Sequence, residues 1–238
     1  MNPTKLISES ASPLYRQLMQ RLRSDIAAGV YPPHSRIPSE AELGEAYQVS
    51  RVTVRKALAE MTREGLLKRM QGKGTFVCAP RIRQSLRDVN SFHEACRVMG
   101  RTPGTRLISA QSAAASAQAC ADLMLPAGAQ CVEIVRLRTA DEEPVMLETN
   151  CFPDSCAWLL EDALDASLYH LLESHGLVPT RGVHEISLCY ATAAQARLLD
   201  VNAGDALLRL DQVIFDQNGA PLHTSHQVIR GDRFTFRI

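Results

Sequence analysis

Three cations and two hydroxyls crowd one short stretch, VSRVTVRKAL, at residues 49–58. Arg51 and Arg55 are four apart and share one helical face; Lys56 follows, and Ser50 and Thr53 stand at the start. A guanidinium so placed can fork onto guanine O6 and N7 or onto a phosphate. Short hydroxyls and unpaired backbone N–H groups at a helix start also favour phosphate. The chemistry is that of gripping a polyanion. A second pair, Arg136 and Arg138, alternates along the apolar run QCVEIVRLRTA and projects from one face of a strand. Two guanidiniums on such a strand need an anion or carboxylate partners, and Glu148 on the next run is available. Two readings follow: an Arg–Glu ladder that braces a sheet, or a ligand site.

Other chemistries find little support. No GxSxG, no nucleophile beside a base and no paired acid/base carboxylates with a nearby His appear, and QGKGT is too short for a Walker loop. The seven cysteines are scattered without a CxxC pair and read as reduced, buried small hydrophobes. His170 and His175 are five apart, and His223 and His226 three apart, so neither pair has the HxxxH zinc spacing. No metal and no cofactor are expected.

The cationic stretch needs a platform. PLYRQLMQRLRSDIAAG (13–29) is an amphipathic helix with Leu14, Leu18, Leu22 and Ile26 at i, i+4 spacing, opened by Pro13 and ended by Gly29. Ser39 and Glu42 form a capping-box pattern for a second helix carrying Leu43, Ala46 and Tyr47. After the turn QVS, Ser50 caps a third helix to about Arg63, whose stripe is Val54, Ala57, Leu58 and Met61. Two short helices across a tight turn read as helix-turn-helix. LLKRMQGKGTFV (66–77) then reads as a Gly-tipped β-hairpin, a wing, carrying Lys68, Arg69 and Lys73.

The length of 238 residues suits two domains, and 45% apolar residues can fill their cores. The zero net charge is the sum of +5 over residues 1–80 and −5 over the rest, a basic module joined to an acidic one. No apolar run approaches the roughly 18–20 residues of a membrane span, and MNPTKLISESASPLYRQ lacks a signal-peptide h-region. A cytoplasmic protein is expected. Residues 80–90 read as a polar linker. Beyond it, strands alternate with helices: a helix at 91–100, strands at 105–111, 130–140 and 145–152, helices near 114–124 and at 167–176, and then the pattern again with a strand at 184–190, a helix at 191–200 and strands from 206 on. ADLMLPAGAQCVEIVRLRTADEEPVMLE aligns with RLLDVNAGDALLRLDQVIFDQNGAPLHTS at an offset of 76, with one extra residue in the second turn. This duplication predicts an α+β domain with a pseudo-twofold, mainly antiparallel sheet, a cleft between halves and helices on one face.

PSEAEL, VSRVTVRKAL and EGLLKRMQGKGTFV, with their spacings, resemble the winged helix-turn-helix domain of the GntR family of bacterial transcription regulators over residues 12–79. The resemblance implies DNA contacts by Ser50, Arg51, Thr53 and Arg55, to which the adjacent Lys56 adds a cation, and entry of Gln71, Gly72 and Lys73 at the wing tip into the minor groove. Ala41 stands where many members carry Arg. Residues 91–238 are similar to the UTRA effector domain of the HutC subfamily, which has a chorismate-lyase-like fold. The matching pieces are Ser91 and Phe92, Arg136-Leu-Arg138, Glu148, Ser167-Leu-Tyr169, P-L-x-x-S at 221–225, and the RGDRF run that opens with Arg230. This resemblance implies that Arg136, Arg138, Ser167 and Tyr169 hold the anionic end of an effector and Glu148 its polar body. His223 stands where many members carry Glu, which predicts affinity that varies with pH between about 5.5 and 7.5. QGKGTFV and IFDQNGAPLH also resemble regulators of sugar–amine adduct catabolism. The expected function is a homodimeric regulator, a repressor of a palindromic operator released by a small anionic metabolite such as a phosphosugar. The alternative is a chorismate-lyase-like enzyme with a DNA-binding appendage.

Overall fold

The computed structural model describes residues 12–79, 81–86 and 91–237. The chain divides into two compact units between residues 80 and 81. In the first, α1 (Leu14–Ala27), α2 (Glu40–Tyr47) and α3 (Arg51–Arg63) enclose a core of Leu18, Leu22, Leu43, Tyr47, Val54, Leu58 and Met61. The capping box forms: Ser39 Oγ accepts from the Glu42 amide at 3.3 Å, and Glu42 Oε2 accepts from the Ser39 amide at 2.7 Å. Gln48 takes the left-handed conformation (φ 52°) that turns the chain from α2 into α3. Ser50 Oγ then accepts from the Thr53 amide at 3.2 Å and fixes the start of α3. The wing is an antiparallel hairpin of β1 (Leu67–Met70) and β2 (Gly74–Val77), with Gly72 at its tip at φ +73°.

The second unit corrects the linker reading. Within 80–90, Ile82–Ser85 forms a strand, β3, and Ile82 is buried in an apolar cluster with Phe92, Met146 and Phe234. Residues 80 and 87–90 lie outside the described residues, as do residues 1–11 of the N-terminal stretch read for a signal peptide. There follow α4 (Phe92–Val98), β4 (Pro103–Ala114), α5 (Ala117–Asp122), β5 (Gln130–Ala140) and β6 (Glu143–Pro153). A 3-10 segment, Asp154–Glu161, was not read from the sequence; it packs Cys156 and Leu159 under the sheet. The chain continues through α6 (Leu168–Ser174), β7 (Arg181–Tyr190), α7 (Ala193–Leu199), β8 (Ala206–Phe215), β9 (Pro221–Ile229) and β10 (Phe234–Arg237). β10 pairs in parallel with β3.

The six long strands make one antiparallel sheet in the order β4-β5-β6-β9-β8-β7. This is the duplication made visible: two three-stranded halves joined through β6 and β9, with Thr149 opposite His226 at the centre. Helices cover both faces, not one. Ile134 and Phe152 meet α6 and the 3-10 segment, while Leu137, Leu147 and Val228 on the other face carry Ala196 and Leu199 of α7.

Candidate functional site

The exposed side of α3 and the wing tip carry the residues singled out for DNA. Arg51, Arg55 and Lys56 are exposed, as are Gln71, Gly72 and Lys73, whereas Val54, Ala57 and Leu58 point into the core. Ser50 is held by its cap and by a 2.9 Å contact with the Thr53 hydroxyl. Arg55 Nε lies 3.3 Å from Glu40 Oε2, and Arg69 Nη2 3.5 Å from Glu40 Oε1, so one carboxylate of α2 steadies both cations. Lys56 Nζ sits 4.2 Å from the centre of the Tyr15 ring. Val52, also on this outer side, is 75% exposed, a large apolar group facing solvent beside the cations. An aliphatic group there can meet a thymine methyl.

The second site is a cavity on the sheet face that bears Arg136 and Arg138. Both guanidiniums are 2% exposed, and Glu148 is 8% exposed. Arg136 and Glu148 are directly cross-strand, with Nη2 donating to Oε2 at 2.7 Å; the same nitrogen reaches Asn150 Oδ1 at 3.3 Å. Arg138 Nη1 donates to Thr105 Oγ1 at 2.8 Å, and its Nη2 lies 3.3 Å from His93 Nδ1. The Arg138 guanidinium rests 4.8 Å over the Phe92 ring. Two cations thus share one carboxylate. Burial would raise the Glu148 carboxyl, but Arg136 and Arg138 outweigh it and hold the group below the usual carboxylate range. Burial, reinforced by Arg136, pulls Arg138 down to about 10. Among the described residues, Arg136 Nε, Arg136 Nη1 and Arg138 Nε are buried without a hydrogen-bond partner.

The cavity holds about 40 Å³ and is walled by Ser91, Phe92, the two arginines, Glu148 and Tyr169, with Gln84, Ser85 and Leu86 from the β3 segment closing it. That is space for roughly three waters. Burial, then the Glu148 charge, raises the Tyr169 phenol. Ser91 also caps α4, accepting from the Glu94 amide at 3.2 Å. Three predicted residues do not line this cavity. Ser167, the residue before α6, makes no cap bond and lines a separate depression with Ser91, His93 and Tyr169. Arg230 is bonded to Asp232 and to the Leu199 carbonyl, the latter at 3.1 Å, and braces α7. His223 is 1% exposed, its ring 4.8 Å from that of Phe152 and 5.9 Å from that of Tyr169. Burial drives the His223 pKa down to about 4, so the predicted titration between about 5.5 and 7.5 is corrected: the ring is already neutral throughout that range.

The structure adds residues that sequence reasoning missed. His93, Asn150, Gln212 and Gln227 all join the network, and burial followed by Arg138 lowers His93 to about 4. For Asn150 and Gln227 the signal was the alternation of polar residues on strands otherwise apolar: Glu148 with Asn150, and Ser225 with Gln227.

Comparison with known proteins gives two family matches: bacterial regulatory proteins, gntR family, at residues 14–77, and the UTRA domain at 98–235. The chain is 34% identical to the HTH-type transcriptional repressor NagR of Bacillus subtilis (strain 168), over 96% of this chain and 95% of that protein. It is 33% identical to the protein described as "Probable fructoselysine utilization operon transcriptional repressor" of Escherichia coli (strain K12), over 94% and 93%. The crystal structure of PhnF from Mycobacterium smegmatis matches at a TM-score of 0.67 and 30% identity, covering 94% of this chain and 97% of that one.

Proposed function

The chain belongs to the GntR family of DNA-binding transcription regulators, with a UTRA domain behind the winged helix-turn-helix, and from this we propose that it is a cytoplasmic homodimeric repressor released from its operator by a small phosphorylated metabolite. The family match and the repressors it resembles make it a regulator of transcription, not an enzyme. Among the described residues, no helix is long and apolar enough to cross a membrane.

The observation that carries the effector reading is the charge imbalance of the cavity. Two buried guanidiniums face one carboxylate and leave three nitrogens unpartnered. Donor nitrogens buried without an acceptor are costly, and an anion would satisfy them. A phosphate monoester supplies two charges and three acceptor oxygens; a neutral sugar supplies acceptor oxygens but no charge. Arg136 and Arg138 are the anchors, Tyr169 adds a phenolic donor, and Phe92 presses on Arg138 from behind. A relative named for fructoselysine utilization keeps a phosphorylated sugar or sugar–amine compound among the candidates. On DNA, Ser50, Arg51, Thr53, Arg55 and Lys56 meet the major groove and Gln71 to Lys73 the minor groove, with two copies on half-sites about one helical turn apart.

A thermal-shift screen tests this with phosphosugars, their unphosphorylated parents and amino-acid-like carboxylates. Phosphates should stabilise the protein, and Arg136→Ala should lose that response and keep operator binding. Equal stabilisation by the unphosphorylated parents excludes the dianion. A carboxylate hit keeps the two arginines as anchors and moves the effector to another metabolite class.

A further inference from the structure

The cavity straddles the pseudo-twofold axis, and its two halves are chemically unlike. Across the repeat, Arg136, Arg138, Glu148 and Asn150 correspond to Gln212, Ile214, Ser225 and Gln227. The strand registers obey the same relation. Arg136 faces Glu148 as Gln212 faces Ser225, and at the axis Glu148 faces Gln227 while Asn150 faces Ser225. Every charge of this set therefore lies on the first half, and the second half answers with neutral groups.

The amide of Gln227 is locked. Its Nε2 lies 3.3 Å from Glu148 Oε1, 2.9 Å from Gln212 Oε1 and 3.1 Å from Ser225 Oγ. An ionised carboxylate only accepts, so this atom is the NH₂ end and the other is the carbonyl oxygen. Gln212 is held in turn: its Oε1 takes the Gln227 proton, and its Nε2 donates to His184 Nδ1 at 2.8 Å. Flipping Gln227 would set its oxygen against the Glu148 carboxylate. Its Oε1 is consequently a fixed acceptor, buried and without a donor among the described residues, on a side chain that lines the cavity.

We infer that the effector is bipartite: its anion sits on Arg136 and Arg138, and a hydroxyl, amine or amide N–H of the same molecule donates to the Gln227 carbonyl, which makes Gln227 a specificity-determining residue. The inference rests on the dianion reading above and adds the second contact. An anion without a donor leaves this oxygen buried and unpaired; an anion with one completes both halves.

The test uses a matched pair, propyl phosphate and glycerol 3-phosphate, which differ only in hydroxyls. Calorimetric titration of the full-length protein should give glycerol 3-phosphate about tenfold or more the affinity of propyl phosphate, the scale of one buried acceptor gained. In Gln227→Met, which keeps the bulk and removes the carbonyl, the two affinities should converge to within about twofold while propyl phosphate still binds. Equal affinities in the unaltered protein overturn the bipartite effector and leave the dianion standing. Binding of neither phosphate overturns both. Discrimination that survives in Gln227→Met overturns the assignment to Gln227. The comparison on the unaltered protein decides the first point even if the variant does not fold.

Discussion

His223 shows how far burial can move a residue from the chemistry its type suggests. Its Nδ1 lies 3.2 Å from the Thr224 carbonyl, which can only accept, so the proton sits on Nδ1 and Nε2 is bare. Protonating Nε2 would place a cation beside Phe152, in a region that already holds two guanidiniums. The consequence falls on stability rather than on affinity near neutral pH. A histidine whose folded pKa is about 4 binds fewer protons folded than unfolded between about 6.5 and 4, so stability falls as pH drops through that window. The full loss for a shift of this size is on the order of 3 kcal/mol. His93, also lowered to about 4, adds to it with the same sign. Urea melts between about pH 7 and 4.5 should therefore show a falling midpoint, with a shallower fall in His223→Gln. Identical slopes in the two proteins would mean that His223 ionises freely in the fold.

The elements divide into those the sequence announces and those it hides. α3 is announced, because its buried stripe recurs at helical spacing and its cations fill the gaps between. β5 and β6 are announced as well, and with them the Arg136–Glu148 pair, since alternation fixes which side chains share a face. β3 is hidden: four residues, IRQS, whose partner β10 lies at the far end of the chain. Its pairing is decided by the burial of Ile82 against Phe234, a long-range contact that no local pattern carries. Gln212 and Gln227 are hidden for a different reason. Alternation marks Ser225 and Gln227 as polar positions on one face, but only the register, which sets Gln227 opposite Glu148 and Gln212 opposite Ser225, shows what they meet. The announced element yields the sharper prediction. Among the described residues Arg51 has no ion pair like the one that ties Arg55 to Glu40, so its guanidinium is the freer to take a base edge or phosphate. Arg51→Ala should weaken operator binding by about 1–3 kcal/mol and relax base preference, and Lys73→Ala should weaken all sequences alike and reduce the salt slope by about one. Gel-shift titrations over a salt series measure both, and an unchanged operator affinity in Arg51→Ala would take α3 out of the recognition role.

On the scale of the whole molecule, the split of charge matches the split of labour. The first 80 residues carry +5, suited to a polyanion, and the remainder carries −5 yet encloses buried cations of its own. Chain continuity ties the two duties together. The chain leaves the wing at Val77 and enters β3 at Ile82, and Gln84, Ser85 and Leu86, next along, form part of the cavity wall. The His184 ring extends the Gln227–Gln212 network toward this wall, with a backbone bond to Leu86. An effector that pushed this wall aside would move β3, the segment that leads to the DNA-binding unit. If the effector is an inducer, linkage requires that it bind the DNA-free arrangement more tightly and that operator DNA weaken its binding by the same factor. Couplings of this kind are commonly 1–3 kcal/mol, so the inducer's affinity should drop by roughly 5- to 150-fold when saturating operator is present. Calorimetric titration of the inducer found in the thermal-shift screen, with and without operator duplex, reads this factor directly. Equal affinities in the two titrations would leave the cavity a binding site that does not regulate, because a ligand indifferent to the DNA-bound state cannot shift it however tightly it binds.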